Sequence, residues 1–379
     1  MKYRKFGDTG WEASVLGFGC MRLPTKENYS DIDEPRAEEL FNFAVEQGIN
    51  YFDTAYPYHG GNSEVWLGKY FHRRPELTHI KIATKLPVWK VEKPDDFHRY
   101  LEEQLKKLKR DKIDFYLLHA LNEELWNKVK KMDILKNLEE SKKQGIIGNM
   151  GFSFHDQYPV FKQIIDEYPQ WDFCQIQYNY MNEDFQAGTK GYQFAVDMGI
   201  PIIVMEPLLG GRLVNPPPSI NRIWKQALTS RTPPAWALQW LWSKPGISIV
   251  LSGMSSLEQL KENILTANKS KVNLLNDDDL DVIDQVREQY LFLKPIPCND
   301  CKYCLPCPED VDIPRIFEVY NSGKMYEKME IAKKFYQWIK PENNASRCVR
   351  CGQCEQKCPQ NINISDLLSE IHDTLSVKN

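Results

Sequence analysis

The sequence has neither a long apolar run nor an excess of charge of one sign. No apolar stretch approaches the roughly 18 residues that span a bilayer, so we expect no membrane segment. The first residues, M-K-Y-R-K-F-G-D, lack the apolar core of a secretory signal, and we therefore expect a cytoplasmic protein. With 48 Lys and Arg against 52 Asp and Glu, the chain has no electrostatic footprint for a nucleic-acid partner.

The dinucleotide fingerprint G-x-G-x-x-G is also missing after the first predicted strand, which disfavours a doubly wound sheet. From about residue 13 to 270, short β-rich runs alternate with amphipathic helical stretches. Eight such runs in strict alternation predict a closed (β/α)8 barrel, an α/β fold, with the doubly wound sheet as the alternative. The predicted strands are Val15–Gly19, Asn50–Asp53, Ile80–Thr84, Ile113–His119, Asn149–Ser153, Phe173–Gln177, Pro201–Met205 and Ile247–Leu251.

Helical spacing of apolar residues predicts the helices between these strands. The turn Gly7-Asp8-Thr9-Gly10 before the first strand predicts a β-hairpin, which we expect to plug the barrel floor. The predicted helices are Pro35–Glu46, Ser63–Phe71, Asp95–Lys109, Glu123–Lys143, Asp184–Met198, Pro233–Trp242, Ser256–Asn268 and one around Leu274–Tyr290.

The composition changes near residue 290, where prolines crowd the chain beside the first cysteines. We therefore predict a barrel domain over residues 1–290 and a small α-helical domain over residues 291–379. Helical patterns in this tail cover Ile313–Tyr320, Met325–Ile339 and Ile364–Leu375.

Eight of the ten cysteines lie in two short runs in the tail. In a reducing cytoplasm, metal binding is a better interpretation of such runs than disulfides. Zinc ribbons usually separate two C-x₂-C pairs by a dozen or more residues, so paired Cys₄ zinc sites are the weaker alternative. Cys20 and Cys174 lie outside the runs and are predicted to be small buried hydrophobes. The runs are Cys298-x₂-Cys301-x₂-Cys304-x₂-Cys307-Pro and Cys348-x₂-Cys351-x₂-Cys354-x₃-Cys358-Pro.

The second run matches the bacterial ferredoxin pattern for a [4Fe–4S] cluster, and the first differs only in its last spacing. The tail thus resembles dicluster ferredoxins of the helical type that carry electrons in larger enzymes. That resemblance implies two 4Fe–4S clusters whose ligands are exchanged between the runs. One would be held by Cys298, Cys301, Cys304 and Cys358, the other by Cys348, Cys351, Cys354 and Cys307.

Polar residues interrupt successive apolar strands at their C-terminal ends, where barrels of this kind carry their active sites. Asp53, Lys85 and His119 end three predicted strands, and Tyr58 follows the first of them in a loop. Asp53 and Lys85 alone could form a structural buried ion pair. Four polar residues at successive strand ends favour an active site instead.

The motifs Y-R-K-F-G-D-T-G, L-G-F-G-C-M-R-L, F-D-T-A-Y-P-Y, A-T-K and L-L-H resemble those of the aldo-keto reductases, from Tyr3 to about residue 270. The resemblance implies hydride transfer between a nicotinamide cofactor and a small carbonyl or alcohol substrate. Tyr58 would be the general acid, with its pKa lowered by Lys85, which pairs with Asp53. His119 would hydrogen-bond and orient the substrate oxygen.

The same resemblance implies a cofactor, NADP or NAD, with Ser153 and Gln175 on its carboxamide. Met205-Glu206-Pro207-Leu208 replaces the usual aromatic–serine–proline–leucine, and Tyr178 is a candidate for the missing stacking aromatic. Gly253 and Gln259 stand where a lysine and an arginine commonly hold the 2′-phosphate, which weakens the case for NADP over NAD. The other implied cofactor contacts are Met21, Pro207, Leu208, Gly210, Gly211, Arg212, Ser255, Glu262 and Asn263.

A hydride carries two electrons, whereas a [4Fe–4S] cluster accepts one. A flavin normally mediates such a step, so a flavin at the barrel mouth is an alternative cofactor. The clusters could instead serve a redox partner protein, or act as a sensor in a non-enzymatic regulatory subunit. The presence of Asp53, Tyr58, Lys85 and His119 together favours an enzyme.

Overall fold

The computed structural model describes residues 1–376, which form two compact units. The first unit comprises Met1–Gly210 and Pro234–Asn276, and the second comprises Gly211–Pro233 and the chain from Asp277 onward. The chain therefore leaves the first unit after residue 210, returns at 234, and leaves it again after 276. The predicted domain limits, 1–290 and 291–379, stay a prediction.

Eight parallel strands close into a barrel in the order β10-β3-β4-β5-β6-β7-β8-β9, which confirms the predicted (β/α)8 fold. The two remaining strands of the described chain, β1 and β2, pair antiparallel as the N-terminal hairpin. The strands are β1 Tyr3–Lys5, β2 Glu12–Ser14, β3 Leu16–Gly19, β4 Tyr51–Asp53, β5 Lys81–Leu86, β6 Ile113–Leu121, β7 Ile147–Phe154, β8 Phe173–Gln177, β9 Ile202–Met205 and β10 Ile247–Ser252.

Helices of the first unit follow the barrel strands, and several begin at side-chain caps. The α1 helix starts where the Asp33 carboxylate accepts from Arg36 N, with Pro35 in the first turn. These helices are α1 Glu34–Glu46, α2 Asn62–His72, α3 Asp96–Leu108, α4 Glu123–Lys131, α5 Ile134–Lys143, α6 Tyr158–Glu167, α7 Gly188–Asp197, α9 Pro233–Trp242 and α10 Leu257–Ala267. Those of the second unit are α8 Pro218–Gln226, α11 Asp277–Phe292, α12 Ile313–Met325, α13 Met329–Gln337, α14 Gln353–Gln356 and α15 Ile364–Leu375.

One predicted helix is divided in the structure, and three helices were not predicted. The predicted helix Glu123–Lys143 is two helices, because Asp133 adopts a left-handed backbone conformation with φ 51° between α4 and α5. The helices α6, α8 and the four-residue α14 were not predicted. In α6 the buried residues Phe161, Ile164 and Ile165 have helical spacing, but the helix is only ten residues long.

The N-terminal hairpin closes one end of the barrel. Phe6, between β1 and β2, is fully buried, and its ring lies 5.1 Å from Phe115 and 5.9 Å from Phe173. These two residues stand at the N-terminal ends of β6 and β8. The aromatic plug thus fills the N-terminal end, and the polar strand-end residues collect at the other.

The described residues of the second unit form helices joined by loops, without a strand. Its core contains side chains of α12, α13 and α15, and six of the run cysteines pack against it. Between residues 211 and 233, Arg231 forms two hydrogen bonds of 2.6 and 2.9 Å with the Asp279 carboxylate of α11. Among residues 1–376, no helix combines the length and apolarity that a bilayer crossing requires.

Candidate active site

The barrel brings Asp53, Lys85 and His119 together because parallel strands in register end at the same rim. Asp53 ends β4, Lys85 lies near the end of β5, and His119 lies near the end of β6. Tyr58 follows β4 in a short helical turn. We call Asp53, Tyr58, Lys85 and His119 the strand-end tetrad.

Asp53 and Lys85 form a buried ion pair. Lys85 Nζ lies 2.5 Å from Asp53 Oδ1 and donates to the Thr54 carbonyl at 2.8 Å, and both side chains are at most 4% exposed. Gln175 Nε2 donates to the other carboxylate oxygen at 3.0 Å. A buried pair of charges persists when further hydrogen bonds satisfy both groups, so this pair is fixed in position.

Tyr58 lies over this pair, half-buried. Lys85 Nζ is 5.2 Å from the centre of its ring, and the His119 ring stands edge-on to it at 6.1 Å. Burial raises the pKa of Tyr58 well above its ordinary value, and the negative charge of Asp53 adds to this effect. The net shift of the Tyr58 pKa is thus opposite to the lowering expected from Lys85, because burial dominates. Tyr58 carries its proton at neutral pH.

His119 is a neutral imidazole with one ring nitrogen that has no hydrogen-bond partner among the described residues. Burial lowers its pKa well below the ordinary value, and the positive charges of Lys85 and His155 lower it further. Its Nδ1 atom is buried and has no hydrogen-bond partner among the described residues. The Trp89 ring lies 5.1 Å away and packs against the imidazole. His119 can thus bond to a ligand oxygen without carrying charge.

Ser153 and Gln175 are neighbours in the β7–β8 register, and both are nearly fully buried. Ser153 Oγ accepts from Ala120 N at 2.8 Å. Ala120 directly follows His119 and has φ 57°, where the β6–β7 register shifts. The sequence gives no signal for this bond, since Ala120 carries no polar side chain. Ser153 therefore bonds to the backbone beside His119, and Gln175 bonds to Asp53. Both residues predicted to contact the carboxamide thus also position members of the strand-end tetrad.

The loop after β9 has a bent backbone at the positions predicted to contact a cofactor. Glu206 and Leu209, which flank Pro207 and Leu208, have positive φ angles, as do Gly210 and Gly211. Asn179 Nδ2 donates to the Glu206 carbonyl at 3.1 Å and fixes the start of the loop. This loop exposes backbone groups in conformations that glycine adopts without strain.

Two residues predicted near the cofactor are engaged elsewhere. Tyr178 is fully buried, stacked on Tyr192 at 5.7 Å, and its hydroxyl bonds to Thr189 at 2.9 Å, so it does not replace the missing stacking aromatic. The Arg212 guanidinium donates to Ser322 Oγ at 2.5 Å within the second unit and lies over the Phe335 ring. Its predicted contact with a pyrophosphate stays a prediction.

The loop after β10 carries the remaining predicted contacts. Gln259 Oε1 accepts from Ser255 N at 2.9 Å, and Asn263 Nδ2 donates to Ser252 Oγ at 3.0 Å. Gly253 is exposed, and Glu262 is half-buried. In the loop after β3, Met21 is 46% exposed, and its neighbour Arg22 approaches Gly253, a contact that the sequence analysis missed.

The eight run cysteines divide between two cavities in the second unit. Two separate cavities each have four cysteines in their walls, and Ile313 of α12 borders both. The first cysteine cavity is lined by Cys298, Cys301, Cys304 and Cys358, and the second by Cys307, Cys348, Cys351 and Cys354. Each run thus contributes its fourth cysteine to the cavity lined by the other.

The cysteines of the two cavities are not arranged around a single ion. Within residues 1–376, no three Cys, His, Asp or Glu side chains gather closely enough to hold one metal ion. Cys20 and Cys174 are fully buried in the first unit, in agreement with their predicted packing role.

Comparisons with known proteins identify two regions of the chain. The profile of the Aldo/keto reductase family matches residues 15–288, and that of the 4Fe-4S dicluster domain matches residues 297–362. The chain is 25% identical to the oxidoreductase YqkF of Bacillus subtilis, over 77% of this chain and 98% of that protein. It is 24% identical to the NADH-specific methylglyoxal reductase of Escherichia coli, over 73% and 96%.

A solved structure shares the barrel. Aldo-keto reductase AKR11C1 from Bacillus halodurans, in its holo form, superposes with a TM-score of 0.62 at 25% identity, over 76% of this chain and 96% of that one. None of these comparisons supports a flavin. Since the family profile covers well over half of the sequence and the fold agrees, the chain belongs to the aldo/keto reductase family and carries a 4Fe-4S dicluster domain after its barrel.

Proposed function

We propose that the barrel is an NAD(P)-linked oxidoreductase that interconverts a small carbonyl compound and its alcohol. The observation that carries the proposal is the protonated Tyr58 held above the buried Asp53–Lys85 pair and beside the neutral His119. Such a tyrosine suits proton donation, whereas a regulatory subunit that only binds a ligand has no need of it.

The residues at the strand ends fit a nicotinamide dinucleotide. His119 offers a buried nitrogen without a partner, and Ser153 keeps its hydroxyl proton to donate. The bound cofactor would supply the hydride. Tyr58 gives its proton to the substrate oxygen, and Lys85 balances the phenolate that remains. His119 hydrogen-bonds the same oxygen and directs it toward Tyr58.

Each cysteine cavity fits one [4Fe–4S] cluster, held by the four thiolates that line it. The clusters would supply one-electron transfer. Cys301 and Cys351 are exposed, so one edge of each proposed cluster is accessible to a redox partner protein. We infer a reducing cytoplasm as the location, because the proposed cluster ligands must stay reduced thiolates.

Isotope transfer tests the barrel chemistry. Anaerobically purified protein is mixed with NADH or NADPH deuterated at the transferable position and with methylglyoxal, which the relative named for that substrate suggests. We expect deuterium in the alcohol product and loss of turnover in Tyr58→Phe. Turnover that persists in Tyr58→Phe would contradict the proposed role of Tyr58.

A second experiment tests whether electrons pass between the two sites. The visible absorbance of the clusters is followed after NADH or NADPH is added anaerobically to wild type, Tyr58→Phe and Cys301→Ala. Bleaching that survives in Tyr58→Phe and is reduced in Cys301→Ala supports internal transfer. Absence of bleaching with both nucleotides would contradict it and leave the clusters to exchange electrons with the partner alone.

A further inference from the structure

Arg22 occupies a space that a basic side chain at position 253 would otherwise fill. It ends the short helical turn Cys20–Arg22 after β3, and its aliphatic stem lies on Gly253. A Cβ atom at position 253 would stand 3.1 Å from both Cβ and Cδ of Arg22, tighter than ordinary contact. The glycine that replaces the expected lysine therefore makes room for an arginine from another loop.

The Arg22 guanidinium lies between the loops that follow β9 and β10. Its Nη2 atom is 3.2 Å from where a Cβ of Gly210 would be, and 3.8 Å from Glu206 Oε1. The side chains of Arg22 and Glu206 are 49% and 33% exposed. A long, partly hydrated ion pair of this kind is weak, so the guanidinium is available to a stronger anion.

We propose that Arg22 binds the phosphate groups of the nicotinamide dinucleotide and exchanges its Glu206 partner for them when the dinucleotide binds. This inference rests on the proposed function and names the residue that supplies the phosphate-binding charge. A guanidinium forms two parallel hydrogen bonds with a phosphate, which a carboxylate 3.8 Å away does not match. Arg212, the arginine predicted for this role, donates instead to Ser322.

Substitution of Glu206 distinguishes phosphate binding by Arg22 from a purely structural role for the ion pair. The Glu206 carboxylate competes with phosphate for Arg22, and its own charge repels a bound phosphate. Removal of the carboxylate should therefore strengthen dinucleotide binding, whereas removal of the guanidinium should weaken it. If the two residues merely fastened the loops together, both substitutions would weaken binding.

The test measures dissociation constants of NADH and NADPH by nicotinamide fluorescence on the full-length, cluster-loaded protein, without turnover. Arg22→Gln should weaken binding by about tenfold to a hundredfold, the range for a lost charge-assisted hydrogen bond. Glu206→Gln should strengthen it by a few-fold. Arg22→Lys keeps the charge and should bind better than Arg22→Gln. The matched control is Arg36→Gln on α1, whose partner Asp33 is three residues away in sequence.

The two nucleotides separate the phosphates concerned. Equal weakening for NADH and NADPH in Arg22→Gln would place the contact at the pyrophosphate, and weakening confined to NADPH would place it at the 2′-phosphate. Unchanged affinity for both, with melting temperature and cluster content like wild type, would overturn the role of Arg22 and leave the proposed function standing. Failure of wild type to bind either nucleotide would overturn the proposed function and this inference together.

Discussion

The barrel site and the cysteine cavities are organised in opposite ways. In the barrel, hydrogen bonds between protein groups already fix the reactive side chains, as in the bonds from Lys85 and Gln175 to Asp53. In the second unit, eight cysteines line two separate cavities. In the barrel site, the fold itself positions the reactive side chains. The cysteine cavities take their shape from the inorganic groups that we propose they bind.

This difference predicts that cluster removal affects the two units unequally, which is the largest effect expected. The core of the second unit includes six cysteines at its edge, so loss of the clusters would hydrate one wall of that core. Hydrogen exchange after anaerobic chelation should show nearly complete loss of amide protection in α12 and α15, with the barrel strands unchanged. Equal loss in both units, or loss in neither, would contradict the comparison.

The next largest effect concerns the barrel alone. Tyr58→Phe removes the proposed proton donor and should lower kcat by about a hundredfold to ten-thousandfold, which is the usual contribution of a general acid to the rate. Nucleotide affinity and iron content should not change. The matched control is Tyr56→Phe, whose hydroxyl donates to Glu103 at 3.1 Å. A loss of nucleotide affinity in Tyr58→Phe would show that the residue is structural.

The pH dependence follows from the raised pKa of Tyr58 and the lowered pKa of His119. Carbonyl reduction needs the protonated phenol and should stay level from about pH 7 to 10. Alcohol oxidation needs the phenolate, so its rate should rise about tenfold per pH unit over the same range. His119 stays neutral there and adds no step. Rates in both directions under saturating substrate test this, and a reduction rate that falls with a midpoint near pH 7 would contradict it.

A smaller effect is expected at Ser153, which accepts from Ala120 N beside His119. Ser153→Ala leaves this amide without its acceptor at a strained residue, and we expect kcat to fall about tenfold. Ser153→Thr keeps the oxygen and should restore part of the rate. The buried Ser141 on α5 provides the control Ser141→Ala. If only KM for the nucleotide changes, Ser153 binds cofactor without positioning His119.

The positions of Asp53, Lys85 and His119 could be predicted because each polar residue ends an apolar strand, and the barrel topology then brings the strand ends together. The engagement of Tyr178 with Tyr192 and of Arg212 with Ser322 could not, because these contacts depend on how separate elements pack. The contact of Arg22 with Gly253 was missed for the same reason.

Contacts between separate elements were also hard to predict in the tail, but its cysteines depend on them less. Cysteine spacing predicted two sets of three neighbouring thiolates, because such closely spaced residues must lie near one another whatever surrounds them, and the resemblance to dicluster ferredoxins implied the exchange of the fourth cysteines. The break at Asp133 and the short helix α8 had no comparable local signal. Sites formed by closely spaced residues can thus be predicted from the sequence, whereas contacts between distant loops are known only from the structure.

The smallest expected effect is also the sharpest test of the cysteine cavities, the exchange of Cys307 and Cys358 between the runs. In a Cys298→Ala/Cys301→Ala background, we expect only the second cluster, about half of the wild-type iron. Adding Cys307→Ala should then remove or destabilise that cluster, because Cys307 lines its cavity. Adding Cys358→Ala should leave it intact, because Cys358 lines the other cavity. Iron content and the electron paramagnetic resonance signal of the reduced protein report the outcome, with Cys174→Ala as the control. The reverse result would mean that each run holds its own cluster.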